Sequence, residues 1–314
     1  MKLNQNIINW LLEENNPSIR YRTLVELLDK KLNNPDVIEI KSQIAISKPV
    51  EKIFLKMHPD GYWYIFDKRK NQGAGDGVEY FDYKTTHFNL AFLAELGMDC
   101  NDKRILLAVN RYLNLQQEDG DFLGHFSCLY AYNLRAFIMM GFKNDKRIQN
   151  TINLLLNTKR YDGGYLCDIH EGKRKNKLVK SCIRGSIKAL TAYAILPELW
   201  NTPRCKSLIK YFLKRQVYFR MGQSEKPAAK AICATTFPFI WRSTFLEALC
   251  ALSKMGYGKS PELAAAWELL ENKKDKEEKY ILDWNPTNSY FNPGKRGMPN
   301  KWITLYANLA LKYR

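Results

Sequence analysis

The sequence predicts an all-α fold built from repeated helical hairpins that close into a ring. The phrase NDKRI occurs twice, at 101–105 and 144–148, and each copy is followed at the same distance by an Asp-Gly pair. Each copy also follows a glycine that ends an apolar run, its aspartate is a favoured N-cap for the next helix, and the apolar residues after it recur at helical spacing. The order is helix, tight turn, helix and Asp-Gly turn, with the copies 43 residues apart. This order is typical of stacked helical hairpins.

Three further hairpins follow the same order less regularly, at 18–45, 181–216 and 239–273. The second helix of each begins with Asn, Asp, Ser or Thr, often beside a proline, as helix N-termini prefer. Two single helices remain, at 4–13 and 300–312. We expect them to pack together as a sixth pair, because the segment KWITLYANLALKYR has an apolar face that an open stack would expose. The chain is thus predicted to form one domain over residues 1–314.

The composition indicates a basic cytoplasmic protein. There are 49 Lys and Arg residues against 32 Asp and Glu, a net charge of +17, which favours acidic partners. Seven cysteines, an odd number without regular spacing, fit a reducing compartment better than a disulfide framework. The N-terminal segment is too acidic for a secretion signal, and no stretch approaches the ~18 apolar residues of a membrane span.

The Asp-Gly turns share a longer pattern of three positions. An aromatic residue follows the glycine by two positions, and a further residue of the pattern precedes the glycine by four. The three sets are Met57, Gly61 and Trp63; Gln116, Gly120 and Phe122; and Lys159, Gly163 and Tyr165. This pattern resembles the Gln-x-x-x-Gly-x-Trp repeat of squalene cyclases and the related repeats of protein prenyltransferase β subunits. The resemblance implies an (α/α)6 toroid, with six inner and six outer helices around a central cavity. The phrases NPSIRYRTL, PDGYW and KWITL are similar to a bacterial branch of that superfamily.

The catalytic motifs of these families do not occur in the sequence. It contains neither the Asp-x-Asp-Asp acid of class II terpene cyclases nor the Asp-rich metal motif of class I terpene synthases. The Asp-x-Cys zinc pair of protein prenyltransferases is missing too. The resemblance therefore implies a toroid scaffold with a cavity, and it does not imply a set of catalytic residues.

The long connections are predicted to gather at one rim of the ring. The segments 66–84, 158–180, 217–238 and 274–299 all lead into inner helices, and helix N-termini favour anions. Three stretches within or beside them, 171–180, 218–237 and 283–301, hold eleven basic and three acidic residues. This charge predicts a basic mouth for a diphosphate, an acidic sugar or a nucleic-acid backbone. The alternative is an ordinary solvated surface with excess lysine.

Candidate ligand-binding residues are basic, aromatic or imidazole side chains near that rim and near the starts of the inner helices. They are Arg20, Arg22, Trp63, His87, Arg135, Arg184, Arg242, Lys301 and Trp302. Aromatic rings of this kind hold isoprenoid chains, stabilise carbocations or stack against sugars. Packing in the core or between helices is the alternative for each ring. His87, Tyr132 and Arg135 also suit a polysaccharide lyase, another class of enzyme that uses helical toroids.

A zinc site is predicted from three cysteines near consecutive inner helices. Cys128, Cys167 and Cys182 would supply thiolates, and His125 or His170 would supply the imidazole that completes tetrahedral coordination. The alternative is that these cysteines are small buried side chains without a metal.

Three functions remain open from the sequence, and whether the chain is an enzyme is one of the open points. The first is the binding or conversion of an anionic isoprenoid or lipid-like molecule in the central cavity. The second is non-catalytic binding of nucleic acid or a protein, since NPSIRYRTLVELL also resembles the Arg-bearing helical units of HEAT-like arrays. The third is an enzyme that acts on polysaccharides.

Overall fold

The computed structural model describes residues 4–63, 65–67, 72–74, 83–122, 127–167, 179–240 and 242–314, and it is mostly helical. The helices are α1 Gln5–Leu11, α2 Pro17–Arg22, α3 Pro35–Ile44, α4 Lys48–Phe54, α5 Thr86–Glu95, α6 Lys103–Leu113, α7 Ser127–Met139, α8 Lys146–Asn157, α9 Ile183–Tyr193, α10 Pro203–Leu213, α11 Phe245–Leu252, α12 Ala264–Glu271 and α13 Lys301–Lys312. Helix α2 continues as a π-helical turn through Thr23–Leu27, and α11 continues through Ser253–Tyr257, where Gly256 leaves the helical conformation with a φ of +93°. None of these described helices has the length and apolar character needed to cross a membrane.

Short strands form two antiparallel hairpins in the connections. Strand β1, Ile65–Asp67, pairs with β2, Gln72–Ala74. Strand β3, Phe219–Arg220, pairs with β4, Gln223–Pro227.

The helices alternate between an inner and an outer layer. Helix α5 is inner, and all ten of its residues are buried. Helix α6 is outer and buries one face only, as expected for an amphipathic helix at the surface. By the same criterion α7, α9, α11 and α13 are inner helices and α8 and α10 are outer helices.

The first and last helices meet. Neighbouring inner helices pack in the order α5, α7, α9, α11 and α13, and α13 then packs against α1, α2 and the π-helical extension of α2. Lys312 Nζ donates to the carbonyl oxygen of Glu26 at 2.8 Å, and Lys301 Nζ lies 2.9 Å from a carboxylate oxygen of Glu13. The predicted pairing of the terminal helices is therefore present as a direct contact.

The repeated NDKRI phrase forms the start of an outer helix in both copies. Asp102 caps α6 by accepting from the backbone N–H of Arg104 at 2.8 Å, and Asp145 caps α8 by accepting from that of Arg147 at 2.8 Å. Each aspartate also pairs with the side chain of the same arginine. The prediction that these aspartates are N-caps is confirmed.

The repeated Asp-Gly turns pack closely against the next outer helix. Gly61, Gly120 and Gly163 have φ angles of +86°, +94° and +84°, a region that favours glycine. A Cβ atom on each would lie within 2.7 Å of the following outer helix, which is α6, α8 and α10 in turn. Both the backbone conformation and the close approach therefore require glycine at these turns.

Replacing Gly120 with alanine is expected to lower the free energy of unfolding by about 2–4 kcal/mol, from backbone strain and from overpacking. The added Cβ would lie 2.6 Å from the carbonyl oxygen of Asn150. Gly222→Ala is the matched control, because Gly222 has a φ of +74° but no atom within 4 Å of the added Cβ. The control should lose about 1 kcal/mol. Equal losses of unfolding free energy in denaturant titrations of the two variants would contradict the close packing of Gly120 against α8.

Candidate functional site

A buried carboxylate ties together helices from different sides of the ring. Glu95, at the end of α5, accepts from Arg22 Nη1 at 2.6 Å, from Arg135 Nη1 and from the hydroxyl of Tyr306. The side chains of Arg22 and Glu95 are 3% and 4% exposed. Arg22 and Arg135 also donate to the Tyr306 oxygen, at 2.8 and 3.1 Å. We call these four residues the cross-ring network, because Arg135 on α7 and Tyr306 on α13 lie three helices apart around the ring.

Electrostatics keep the cross-ring network charged despite its burial. Burial alone would raise the pKa of Glu95, but the charges of Arg135 and Arg22 and the hydrogen bond from Tyr306 lower this pKa below its ordinary value. Burial also opposes the charge on Arg22, yet Glu26, Tyr306 and Glu95 raise its pKa well above the usual range. Glu95 is therefore a carboxylate that holds two guanidinium groups.

A second buried ion pair lies beside this network. Lys188 on α9 pairs with Glu247 on α11, and the two side chains are 1% and 2% exposed. Burial lowers the pKa of Lys188 and raises that of Glu247, and each partner opposes the shift of the other. Six helices thus contribute a charged or phenolic side chain to the centre of the ring. They are α2 and the inner helices α5, α7, α9, α11 and α13.

Aromatic side chains fill part of the same centre. The buried segment before α11 brings Phe237 against Trp302, with parallel rings 4.4 Å apart, and Phe239 against Tyr306 at 4.5 Å. The hydroxyl of Tyr132 on α7 donates to the carbonyl oxygen of Phe239 at 2.6 Å. These packed side chains therefore occupy part of the ring centre, where the sequence predicted a hollow.

The cavity that remains lies toward the C-terminal ends of the inner helices. It has a volume of about 170 Å³, and we call it the axial cavity. Its charged lining residues are Arg22, Glu26, Asp29, Arg135, Glu247 and Lys254. The predicted mouth was at the opposite rim, where helix dipoles favour anions. Helix C-termini favour cations instead, so any attraction for an anion must come from side chains.

The ends of helices α2 and α11 shape the axial cavity. Thr23–Leu27 carries Glu26, Ser253–Tyr257 carries Lys254, and both residues line the cavity. The turn Thr23–Leu27 is π-helical, which is uncommon and is found frequently at functional sites. This turn and the cluster of charged lining residues mark the cavity as the candidate site among the described residues.

Lys254 differs from the other charged residues of the cavity. It is exposed, and it makes no ion pair with any part of the chain that the structure describes. Partial desolvation, and then the charges of Arg135, Arg22 and Lys312, lower its pKa, while Glu26 acts in the opposite direction. Its amine is therefore easier to deprotonate than that of an ordinary lysine.

Arg22 and Arg135 are the two predicted ligand-binding residues that line the axial cavity. Trp63 is fully buried, and its indole N–H donates to the carbonyl oxygen of Ile53 at 2.8 Å. His87 is also fully buried, with Nδ1 3.2 Å from the hydroxyl of Thr85. Trp63 and His87 therefore pack within the fold in the structure.

Five further predicted residues lie outside the axial cavity. Trp302 is in the aromatic stack, and Lys301 is at the contact between α13 and α1. Arg20 is half-buried on α2, Arg184 is half-buried at the start of α9, and Arg242 lies 5.1 Å from the ring of Trp284. Residues 171–178, which carry much of the predicted basic charge, lie outside the described ranges.

The predicted metal site is described in part. The sulfur atoms of Cys128 and Cys167 are 3.9 Å apart and both residues are buried, whereas Cys182 is half-buried at the N-cap of α9. Among the described residues, no three His, Cys, Asp or Glu side chains form a group that could hold a metal. His125 and His170 lie outside the described residues, so the zinc site stays a prediction.

Five charged or phenolic residues of the ring centre were not predicted from the sequence, and they are Glu95, Lys188, Glu247, Lys254 and Tyr306. A signal for three of them was present, because Glu95, Lys188 and Glu247 are charged residues inside the apolar stretches FLAELG, SIKALTAY and FLEALCAL. A charge within an otherwise buried helix must be paired. Lys254 and Tyr306 carry no comparable signal in the sequence.

Comparisons with known proteins show the fold. No protein-family model matches the sequence, and neither does any curated protein. Among solved structures, the chain is similar to a glycosyl hydrolase family 88 protein from Bacteroides vulgatus, with a TM-score of 0.53 and 13% identity over 98% of this chain and 97% of that one. It is also similar to the type II terpene cyclase MstE from Scytonema, with a TM-score of 0.36 and 11% identity over 87% of this chain and 96% of that one. The chain thus shares the α/α-toroid fold of the glycosyl hydrolase.

Proposed function

We propose that the chain binds a small organic acid, about the size of an acidic monosaccharide, in the axial cavity. The observation that carries this proposal is a charge imbalance. The side chains in and behind the cavity include five cations, which are Arg22, Arg135, Lys188, Lys254 and Lys312. They include four carboxylates, which are Glu26, Asp29, Glu95 and Glu247.

Each of the four carboxylates already has a cationic partner. Glu26 pairs with Arg22, Glu95 pairs with Arg22 and Arg135, Glu247 pairs with Lys188, and Asp29 pairs with Lys312 at 2.5 Å. Transfer of a proton from Lys188 to Glu247 would not change the net charge of these nine side chains. The remaining positive charge is that of Lys254, and an anionic group on a ligand would balance it.

Arg135 supplies further hydrogen-bond donors to the same cavity. A guanidinium has five N–H groups, and in Arg135 one bond goes to Glu95 and one to Tyr306. Its Nε–H has no acceptor among the described residues, and its side chain is 14% exposed. Unused N–H groups of a guanidinium bind carboxylate or phosphate oxygens well.

The size of the cavity favours a ring-sized ligand. Its volume of about 170 Å³ is close to the ~150 Å³ that accommodates one benzene molecule and below the ~300 Å³ of ordinary ligand pockets. A polyprenyl chain is longer than this space, which argues against the isoprenoid ligand at this site. The apolar wall formed by Val25, Ile195, Phe239 and Leu309 suits the face of a sugar ring. The fold shared with a glycosyl hydrolase is compatible with a sugar acid, although a fold does not specify a ligand.

D-Glucuronate is expected to raise the midpoint of thermal unfolding, whereas D-glucose, which has no carboxylate, is not. At a concentration a hundredfold above Kd the stabilisation is about 2.7 kcal/mol, which is a shift of about 4 °C for a chain of this length. Lys254→Met should abolish the shift because it removes the unbalanced cation. Lys259→Met, which removes an exposed lysine outside the cavity, should retain the shift.

Equal shifts with glucuronate and glucose, or a full shift in Lys254→Met, would contradict this proposal. Stabilisation by farnesyl diphosphate, but not by inorganic pyrophosphate, would favour the isoprenoid function instead. Duplex DNA binding that weakens steeply with salt and ignores sequence would favour the nucleic-acid function.

A further inference from the structure

We infer that Lys254 is a nucleophile that forms an imine with the carbonyl carbon of an acid held in the axial cavity. The substrate class is a carbonyl acid, either an oxo acid or an acidic sugar in its open-chain form. This inference rests on the proposed function, because the carboxylate of the substrate is the anion that the cavity binds.

The position of Lys254 is suited to attack on a bound molecule. Lys254 lines the cavity, and its amine has no hydrogen-bond or ion-pair partner among the residues that the structure describes, so no existing contact must break. Glu26 lines the same cavity from another helix and acts electrostatically on Lys254. The N–H groups of Arg135 would hold the carboxylate of the substrate. Amine, proton carrier and carboxylate-binding group therefore surround one space.

The surroundings of Lys254 favour the neutral amine, which is the nucleophilic form. Desolvation and neighbouring cations are the two ways in which proteins activate a lysine for imine formation. Both act here, since partial desolvation and the charges of Arg135, Arg22 and Lys312 lower the pKa of Lys254 against the opposing charge of Glu26. The other lysine that faces the ring centre, Lys188, is bound to Glu247 and is not available.

The reaction balances without a further reagent. The lone pair of Nζ forms a bond to the carbonyl carbon, the π pair of the carbonyl moves to its oxygen, and Glu26 carries one proton from the nitrogen to that oxygen to give the carbinolamine. Glu26 then carries the second nitrogen proton to the hydroxyl group, the C–O bond breaks as water leaves, and the nitrogen lone pair forms the C=N bond. The products are one imine and one water molecule from one amine and one carbonyl group.

Borohydride trapping tests the inference on the full chain. The protein is incubated with pyruvate or with D-glucuronate, reduced with sodium borohydride, digested and mapped by mass spectrometry. We expect one reduced adduct per chain, at Lys254, at least tenfold above the adduct at exposed Lys259. Adducts spread evenly over exposed lysines, or no adduct at all, would overturn the inference.

Lys254→Arg separates imine formation from anion binding. Arginine keeps the positive charge but does not form the imine, so this variant should retain the thermal shift with glucuronate and lose the trapped adduct. If wild type shows the shift without an adduct, imine formation is wrong and the proposed function stands. If neither wild type nor Lys254→Arg shows the shift, the proposed function itself fails.

Discussion

Glu95→Ala is expected to lower the free energy of unfolding by about 3–5 kcal/mol, because it leaves two buried guanidinium groups without their shared carboxylate. Arg22 and Arg135 both donate to Glu95, and Tyr306 would lose the acceptor for its hydroxyl proton. No solvent reaches Arg22 to compensate, since its side chain is 3% exposed. Guanidinium chloride titration of the wild type and the variant measures the loss.

Glu198→Ala is the control for the loss of an ordinary ion pair. Glu198 pairs with Lys143 at 2.6 Å, but both side chains are more than 40% exposed. Exposed pairs of this kind contribute about 0–1 kcal/mol. A loss below 1 kcal/mol in Glu95→Ala, comparable to that of Glu198→Ala, would mean that the cross-ring network does not hold the inner helices together.

Lys188→Met is the second change with a large expected effect. Methionine fills a similar volume but leaves the carboxylate of Glu247 buried at 2% exposure without its cation. Breaking a buried ion pair from one side costs about 3–5 kcal/mol. Denaturant titration should show a loss of that size, smaller at low pH, where Glu247 with its raised pKa is protonated.

The double variant Lys188→Met/Glu247→Gln should recover most of this loss, because no buried charge is left unpaired. Glutamine keeps an oxygen that accepts from the backbone N–H of Thr244, a bond of 3.0 Å that caps α11. If the double variant is as unstable as the sum of its two single variants, the two residues are not coupled. The interaction between the two side chains would then contribute nothing to the free energy of unfolding.

The periodic features of the fold could be predicted from the sequence because they are local. Asp102 and Asp145 cap outer helices as the repeated phrase indicated. The apolar face of the last segment indicated the observed contact between the terminal helices. Capping, turn chemistry and helical period depend on residues within a few positions of one another, so one sequence reveals them.

The site was harder to predict because it depends on contacts between distant residues. Arg22 and Arg135 were expected at a basic mouth, yet both bind Glu95, which lies 73 and 40 positions away along the chain. Nothing local shows that Phe237 packs against Trp302 in the ring centre or that a cavity lies toward the other end. The turns that carry Glu26 and Lys254 also have no signal in the spacing of apolar residues. Loop charge and helix dipoles therefore pointed to one rim, while the described cavity lies toward the opposite one.

The most direct measurement is a crystal structure of the protein soaked with D-glucuronate. We expect ligand density in the axial cavity, with the carboxylate beside Arg135 and the sugar within reach of Lys254. Density at the rim where the inner helices begin, with the axial cavity holding only water, would contradict it.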